Sequence, residues 1–213
     1  MTCGTAILNP RPVSKRAGPM YHPRMSEARP ARKPPRRVSA NSLENAALAY
    51  LERFDSTAAN LRRVLERKVR RAAAHPEAAV DPAQAAAWID AAVAKMVRLG
   101  YVDDRRTARA KAESLFRRGL APAMIRRRLA LLGAPEDAVS EALEAVAETA
   151  EGDATLAAAV TLARRKRLGP FGKPELRAER RDRDLAALGR AGFDWETARR
   201  VIDAASADDL VDD

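Results

Sequence analysis

Apolar residues recur at intervals of three and four positions along most of the chain after residue 42. This spacing places them on one face of an α-helix and leaves the opposite face to polar and charged residues. The pattern is clearest between residues 103 and 151, where breaks divide it into three short stretches. It predicts three helices, with apolar positions Ala108, Ala112 and Leu115, then Ile125, Leu129 and Leu132, then Val139, Leu143 and Val146.

Residues that start and stop helices separate these stretches. Gly100 is suited to the left-handed conformation that closes a helix, and Asp103 or Asp104 can cap the next helix by accepting its free N–H groups. Pro122 fits the first turn of a helix, because proline lacks an N–H that would stay unbonded there. The predicted structural caps are Gly100, Asp103, Asp104, Gly119, Pro122 and Gly133.

The same plan recurs on both sides of this middle segment. Ser42 as an N-cap predicts a first helix near Leu43, and Pro82 predicts a helix that stops at Gly100. Further on, the pattern of Leu129–Gly133 returns at Leu185–Gly189. Units of this size bury little apolar surface alone and are stabilised by stacking on neighbours. We therefore predict three tandem three-helix repeats, over residues 43–102, 103–151 and 152–206.

Composition supports an all-α fold and limits the class of protein. Of the 213 residues, 46% are hydrophobic but only 4% are aromatic, so the apolar content consists mainly of Ala, Leu and Val and strand signals are scarce. A single cysteine, Cys3, excludes an intramolecular disulfide framework. No apolar run reaches 18 residues, and no signal peptide is recognisable, so we expect a cytoplasmic protein that does not enter the membrane.

Charge is distributed unevenly along the chain. Residues 1–42 carry nine Lys or Arg, one acid and seven of the thirteen prolines, which predicts a disordered basic tail. Residues 59–128 carry seventeen basic and seven acidic residues, whereas residues 134–163 carry seven acids and no Lys or Arg. Residues 207–213 form a short acidic tail, which we expect to be frayed. The basic sections favour a polyanionic partner.

Catalytic motifs are missing from the sequence. Neither a phosphate-binding glycine loop nor a dinucleotide fingerprint occurs, and the two histidines and one cysteine are too few and too scattered for a zinc site. Asp103 and Asp104 could be metal ligands, but capping explains them better. Tyr50, Trp88, Tyr101 and Trp195 occupy helix faces or ends and are expected in the core. We predict a protein that is not an enzyme and needs no cofactor or metal.

Basic helix faces remain as the candidate functional surface. Ile125 and Leu129 fix the core side of one helix, so most of Arg126, Arg127 and Arg128 must project outward. Arginine matches phosphate and carboxylate geometry, so DNA or an acidic protein surface would fit, and a solvated face with local ion pairs is the alternative. Glu113 is the only acid between residues 105 and 128, which weakens that alternative. The candidates are Arg62, Arg63, Arg67, Lys68, Arg70, Arg105, Arg106, Arg109, Arg117, Arg118, Arg126, Arg127 and Arg128.

The order of these elements resembles the RecX family of regulatory proteins, which modulate the RecA recombinase. The resemblance rests on Leu99–Asp104, Arg117–Gly119 with Pro122, Ile125–Arg126, and Leu129 with Gly133, and on the basic helix at Leu61–Lys68. It implies an elongated, curved array of repeats in the groove of the RecA–single-stranded DNA filament. Such a protein would be a monomeric regulator of recombination, DNA repair and the SOS response that inhibits strand exchange and ATP turnover. It would bind single-stranded and also double-stranded DNA without sequence preference.

Two other functions fit the same pattern. A three-helix unit with a basic helix also suits a helix-turn-helix regulator of transcription that reads the major groove. Such a protein should prefer its operator over random duplex by orders of magnitude, whereas a filament-binding protein should show little preference. An RNA-binding role would make use of the basic tail.

Overall fold

Helices account for most of the chain. The computed structural model describes residues 38–74, 81–150 and 152–210, and within these ranges the chain forms nine α-helices and no β-strand. The predicted all-α class is confirmed. Most of the predicted basic tail, residues 1–37, lies outside the described residues. The helices are α1 (Ala40–Leu51), α2 (Ala58–Ala73), α3 (Pro82–Arg98), α4 (Asp104–Phe116), α5 (Pro122–Leu132), α6 (Glu136–Glu148), α7 (Ala154–Lys166), α8 (Arg177–Gly189) and α9 (Trp195–Asp203).

Side-chain caps set most of the helix starts. Asp103 accepts the Arg106 N–H at 3.0 Å and begins α4, and Pro122 is the first residue of α5, both as predicted. The predicted start of α1 was wrong. Ser39 is the N-cap, three residues before Ser42, because the two serine hydroxyls and backbone N–H groups bond each other reciprocally in a capping box.

Buried apolar side chains form three clusters along the chain. The first is enclosed by α1, α2 and α3, with Leu43, Leu61 and Met96 at its centre. The second lies between α4, α5 and α6 and is built around Ile125 and Leu129. The third is enclosed by α7, α8 and α9. Leu210, in the predicted acidic tail 207–213, is buried in this third cluster and ends a 3₁₀ turn, so that part of the tail is ordered.

The N-terminus of α2 meets the C-terminus of α5 in a close joint. The Thr57 hydroxyl accepts the Asn60 N–H at 3.1 Å and donates to the Leu132 carbonyl at 2.5 Å, so it serves both helix ends. Gly133 follows α5 with a φ of 76°, and a Cβ there would lie 2.6 Å from the Cβ of Ala59. A glycine is therefore required at this position by both backbone conformation and space.

A second joint connects the α4–α5 turn to the third cluster. At Gly119 an added Cβ would lie 2.6 Å from the Leu162 nitrogen, so the turn touches the backbone of α7. Ala121 belongs to the third cluster, and its N–H donates to the Ala191 carbonyl at 3.3 Å.

Gly189 differs from the predicted repeat. It lies inside the last turn of α8, and nothing stands within 4 Å of a Cβ placed there. The residue with positive φ is Gly192, three positions later, because the Ala191–Phe193 turn rather than the helix end packs against Met124 of α5.

Candidate nucleic-acid interface

The cations of α2 lie on the side of the helix away from the first cluster. Leu61 and Leu65 are fully buried, whereas the exposed positions of this helix include Arg63, Arg67, Lys68 and Arg70. Arg62 forms an ion pair with Asp90 of α3. Arg63 donates to the Leu131 carbonyl at 2.8 Å, which closes the joint with α5. No carboxylate of the described residues lies within ion-pair distance of Arg67, Lys68 or Arg70.

The candidate cations of α4 and of the two residues after it, Arg117 and Arg118, are mostly paired with carboxylates. Arg105 pairs with Asp137 at 2.6 Å and with Glu141, both on α6. Glu113 lies 3.3 Å from the Arg109 guanidinium and 4.0 Å from that of Arg117. These pairs are solvent-exposed, so each contributes roughly 1 kcal/mol or less to stability. Arg106 and Arg118 have no ionic partner among the described residues.

The three consecutive arginines of α5 divide in the same way. All three are exposed while Ile125 and Leu129 are fully buried, which confirms the predicted orientation of this helix. Arg126 is paired with Glu136. Arg127, directly opposite the buried face at 100° per residue, and Arg128 have no ionic partner in the described part of the chain.

The sequence argument against local ion pairs was too strong for these helices. It counted only acids between residues 105 and 128, whereas α6 packs against α4 and brings Glu136, Asp137 and Glu141 to Arg126 and Arg105. The acidic segment that follows the basic helices therefore neutralises part of their charge. Seven candidates have neither a carboxylate within ion-pair distance nor, unlike Arg63, a carbonyl that accepts from the guanidinium among the described residues. We call them the unpaired cations: Arg67, Lys68, Arg70, Arg106, Arg118, Arg127 and Arg128.

Both members of the Asp103–Asp104 pair act as helix caps. Asp103 caps its own helix, α4. The Asp104 carboxylate accepts the Ala58 N–H at 2.8 Å and so caps α2, which belongs to the first cluster. Gly100 has a φ of 74°, as expected for the residue that closes α3. No group of three or more His, Cys, Asp or Glu side chains is placed to hold a metal ion within the ranges that the structure describes.

Two aromatic side chains lie outside the core. Tyr101 and Trp195 retain 55% and 64% of their accessible surface, which contradicts the expectation that they are buried. Each follows a helix end or begins a helix, where the periodic pattern no longer fixes which side faces inward. Tyr50 and Trp88 are half-buried against the first cluster, and the Tyr50 hydroxyl accepts a hydrogen bond from the Asn60 amide at 3.0 Å.

A carboxylate–guanidinium pair connects two helices around the third cluster. The Arg181 guanidinium makes two hydrogen bonds of 2.7 Å to Asp203. These hydrogen bonds, followed by the positive charges of Arg181, Arg199 and Arg177, lower the pKa of the Asp203 carboxyl. The pair connects α8 to the end of α9.

None of the helices in the described ranges has the length and apolar content that a membrane crossing requires.

Comparison with known proteins gives consistent results. No protein-family model matches the chain. The chain is 44% identical over 174 residues to the regulatory protein RecX of Myxococcus xanthus strain DK1622, covering 81% of this chain and 90% of that protein. It is 34% identical over 175 residues to the regulatory protein RecX of Xanthomonas campestris pv. campestris strain B100, covering 82% and 94%. A crystal structure of a regulatory protein RecX matches the fold with a TM-score of 0.51 at 19% identity, over 78% of this chain and 72% of that one.

Proposed function

Because this chain belongs to the RecX family of regulatory proteins, we propose that it regulates homologous recombination by binding the RecA–single-stranded DNA filament. Bound there, it inhibits strand exchange and ATP turnover by the recombinase. The protein acts by binding and not by catalysis, as a monomer in the cytoplasm, and takes no cofactor.

The observation that carries this proposal is the set of unpaired cations on α2, α4 and α5. Ion pairs to α3 and α6 already satisfy Arg62, Arg105 and Arg126, so these three have less charge to offer a partner. The unpaired cations keep their full charge and can exchange their counterions for DNA phosphates. Phosphate contacts position a protein on DNA without reading its sequence, which suits a filament that forms on any DNA.

The proposal is tested by measuring ATP hydrolysis and strand exchange by a RecA recombinase on single-stranded DNA. We expect the full chain at stoichiometric amounts to inhibit both. A variant with Arg67→Gln, Arg127→Gln and Arg128→Gln should need at least ~10-fold more protein for the same inhibition, because three charge-assisted contacts are lost.

The matched control removes the same charge from other positions. Arg53→Gln, Arg98→Gln and Arg190→Gln change three exposed arginines outside the candidate set and should inhibit like the unchanged protein. Absence of inhibition by the unchanged protein would contradict the proposed function. Equal inhibition by the two variants would exclude the unpaired cations as its basis. A strong preference for one duplex sequence would favour the helix-turn-helix alternative.

A further inference from the structure

A second group of cations lies at the end of α7, outside the segments considered above. Arg164, Arg165, Lys166 and Arg167 are consecutive and all exposed, and Lys173 follows after a short loop. The sequence contains no acid from Arg164 to Lys173. Within the described ranges no carboxylate lies at ion-pair distance from any of the five. Sequence reasoning missed this group because the charges of the C-terminal third of the chain nearly cancel in total.

The loop that runs from Arg167 to Lys173 is fixed at several points. The Gly169 N–H donates to the buried Asp184 carboxylate at 3.0 Å. Gly169 also packs so closely on α9 that a Cβ there would lie 2.9 Å from the Cα of Ile202. The Arg164 guanidinium stacks over the Phe171 ring at 5.4 Å from its centroid. The end of α7 and the loop after it are therefore preorganised, which lowers the entropy lost when a ligand binds.

Arg167 occupies a backbone conformation that does not favour arginine. Its φ is 56°, and it is the only residue besides glycine with a positive φ among the described residues. Helices commonly end in this left-handed conformation, but with glycine or asparagine at that position. An arginine here keeps a positive charge at a site where glycine would be the more stable residue. Unusual backbone conformations of this kind are concentrated at functional sites.

Helix electrostatics explain only part of the group. Cations in the last turn of a helix interact favourably with its dipole, which accounts for Arg164, Arg165 and Lys166. The dipole effect decays within that turn, whereas Lys173 lies seven residues beyond the end of α7. A ligand that spans the loop accounts for both ends of the group.

The chemistry of the surface favours phosphate over protein. Protein–protein interfaces have apolar and aromatic side chains at their centre and are depleted of charge there. The large hydrophobic side chains that are exposed in the described residues are Phe54, Val97, Leu99, Tyr101, Leu131 and Trp195, and none lies between residues 164 and 173. A surface that offers charge without an apolar anchor matches the backbone of a nucleic acid.

We propose that Arg165, Lys166, Arg167 and Lys173 form a nucleic-acid phosphate site, here called the α7 patch, which binds DNA independently of any recombinase. This site lies beside the third cluster, at the end of α7, and is separate from the unpaired cations. Arg164 positions the loop through Phe171 and takes no direct part.

The test measures binding of the full chain to a fluorescent 40-nucleotide oligo(dT) by anisotropy, between 50 and 200 mM salt and without recombinase. Each single-strand phosphate contact contributes about 0.7 to the slope of log affinity against log salt. The variant with Arg165→Gln, Lys166→Gln and Arg167→Gly should lower that slope by about 2. Glycine is chosen at residue 167 because it preserves the left-handed turn.

The control variant with Arg53→Gln, Arg98→Gln and Arg190→Gln has the same change in net charge and should leave the slope unchanged. Equal slopes for patch and control variants would overturn the proposal. Polyglutamate that competes as well as oligo(dT) at equal charge would also overturn it, in favour of an acidic protein partner. If circular dichroism shows that the triple variant has lost helicity, the same titration is made with the single variant Arg165→Gln. Its slope should be lower by about 0.7, and an unchanged slope would overturn the proposal.

Because recombinase is omitted, the two proposals fail separately. If the patch variant leaves the salt slope unchanged while the unchanged protein inhibits ATP hydrolysis, only the α7 patch proposal is contradicted. If the patch variant lowers the slope as expected but the unchanged protein does not inhibit ATP hydrolysis, the α7 patch proposal stands and the recombination role is contradicted.

Discussion

Single side chains at the joints serve two helices at once. The Thr57 hydroxyl caps α2 and donates to the last carbonyl of α5, and the carboxylate of Asp104, the first residue of α4, caps α2. The sequence predicted a cap at Asp103 or Asp104, because a residue that caps the helix it begins acts locally. The Thr57–Leu132 and Asp104–Ala58 bonds join residues 75 and 46 positions apart, and no local pattern specifies such a contact.

Replacing Thr57 by valine should destabilise the protein by about 2 kcal/mol. The change removes an N-cap, worth about 1 kcal/mol, and leaves the Leu132 carbonyl without its donor at a partly buried site. The free energy of unfolding in urea measures the loss. Thr57→Ser retains the hydroxyl and is the control, with an expected loss below about 1 kcal/mol. Equal stability of the valine and serine variants would show that the hydroxyl bonds are not stabilising.

The Asp203 carboxylate should make stability depend on pH below about 4. Its pKa is lowered in the folded protein by hydrogen bonds from Arg181 and by nearby arginine charges. The stabilisation is therefore complete above the unfolded pKa of about 3.9 and is lost as pH falls through the lower folded value.

The Asp203→Asn variant should be less stable at pH 7 by up to about 1 kcal/mol, since this is a partly exposed pair. The difference from the unchanged protein should shrink as thermal unfolding is followed down to about pH 2, because the Asp203 carboxylate becomes protonated as pH falls through its lowered folded pKa. Asp182→Asn provides the comparison, because Asp182 is 98% exposed and its closest approach to Arg181 is 3.7 Å. A difference that persists at pH 2 would assign the effect to packing.

At the scale of helices, the sequence predicted boundaries that depend on neighbouring residues and missed those that depend on distant ones. Pro82, Asp103, Pro122 and Gly100 mark helix ends as expected, because proline, aspartate caps and left-handed glycine act within one turn. Gly189 resembled Gly133 in sequence, yet only Gly133 is compressed against another helix. The ion pairs from α6 to Arg105 and Arg126 were likewise invisible without the packing of α6 on α4 and α5.

The joint between α2 and α5 should make Gly133→Ala much more damaging than Gly100→Ala. Both glycines have a φ near 75°, so each substitution costs about 1 kcal/mol in backbone strain. Only at Gly133 does the new methyl group meet another atom, the Cβ of Ala59 at 2.6 Å, which adds about 1–3 kcal/mol of overpacking. Urea unfolding of the two variants gives the difference directly. Equal losses would mean that α2 and α5 move apart to admit the methyl group without a loss of stability.

At the scale of the whole molecule, the net charge does not show which cations are free to bind a partner. The basic residues that produce the formal net charge of +10 include arginines that form ion pairs with carboxylates of α3, α6 and α9. The sequence treated Arg126, Arg127 and Arg128 as equivalent candidates. In the structure Arg126 is paired with Glu136, whereas Arg127 and Arg128 have no ionic partner among the described residues. It overlooked the α7 patch, whose cations are adjacent in sequence but are diluted by acids elsewhere in the same third of the chain.

If the unpaired cations and the α7 patch contact the same DNA strand, their effects on salt dependence should add. Arg127→Gln with Arg128→Gln should lower the slope for a 40-nucleotide oligo(dT) by about 1.4, the α7 variant by about 2.1, and the combination by about 3.5. Additivity is expected for sites that share no contacts. Arg126→Gln should change the slope little, because Glu136 already neutralises that guanidinium. A combined variant with only the larger single effect would mean that the two sites bind separate DNA molecules, and a full effect of Arg126→Gln would mean that its ion pair opens when DNA binds.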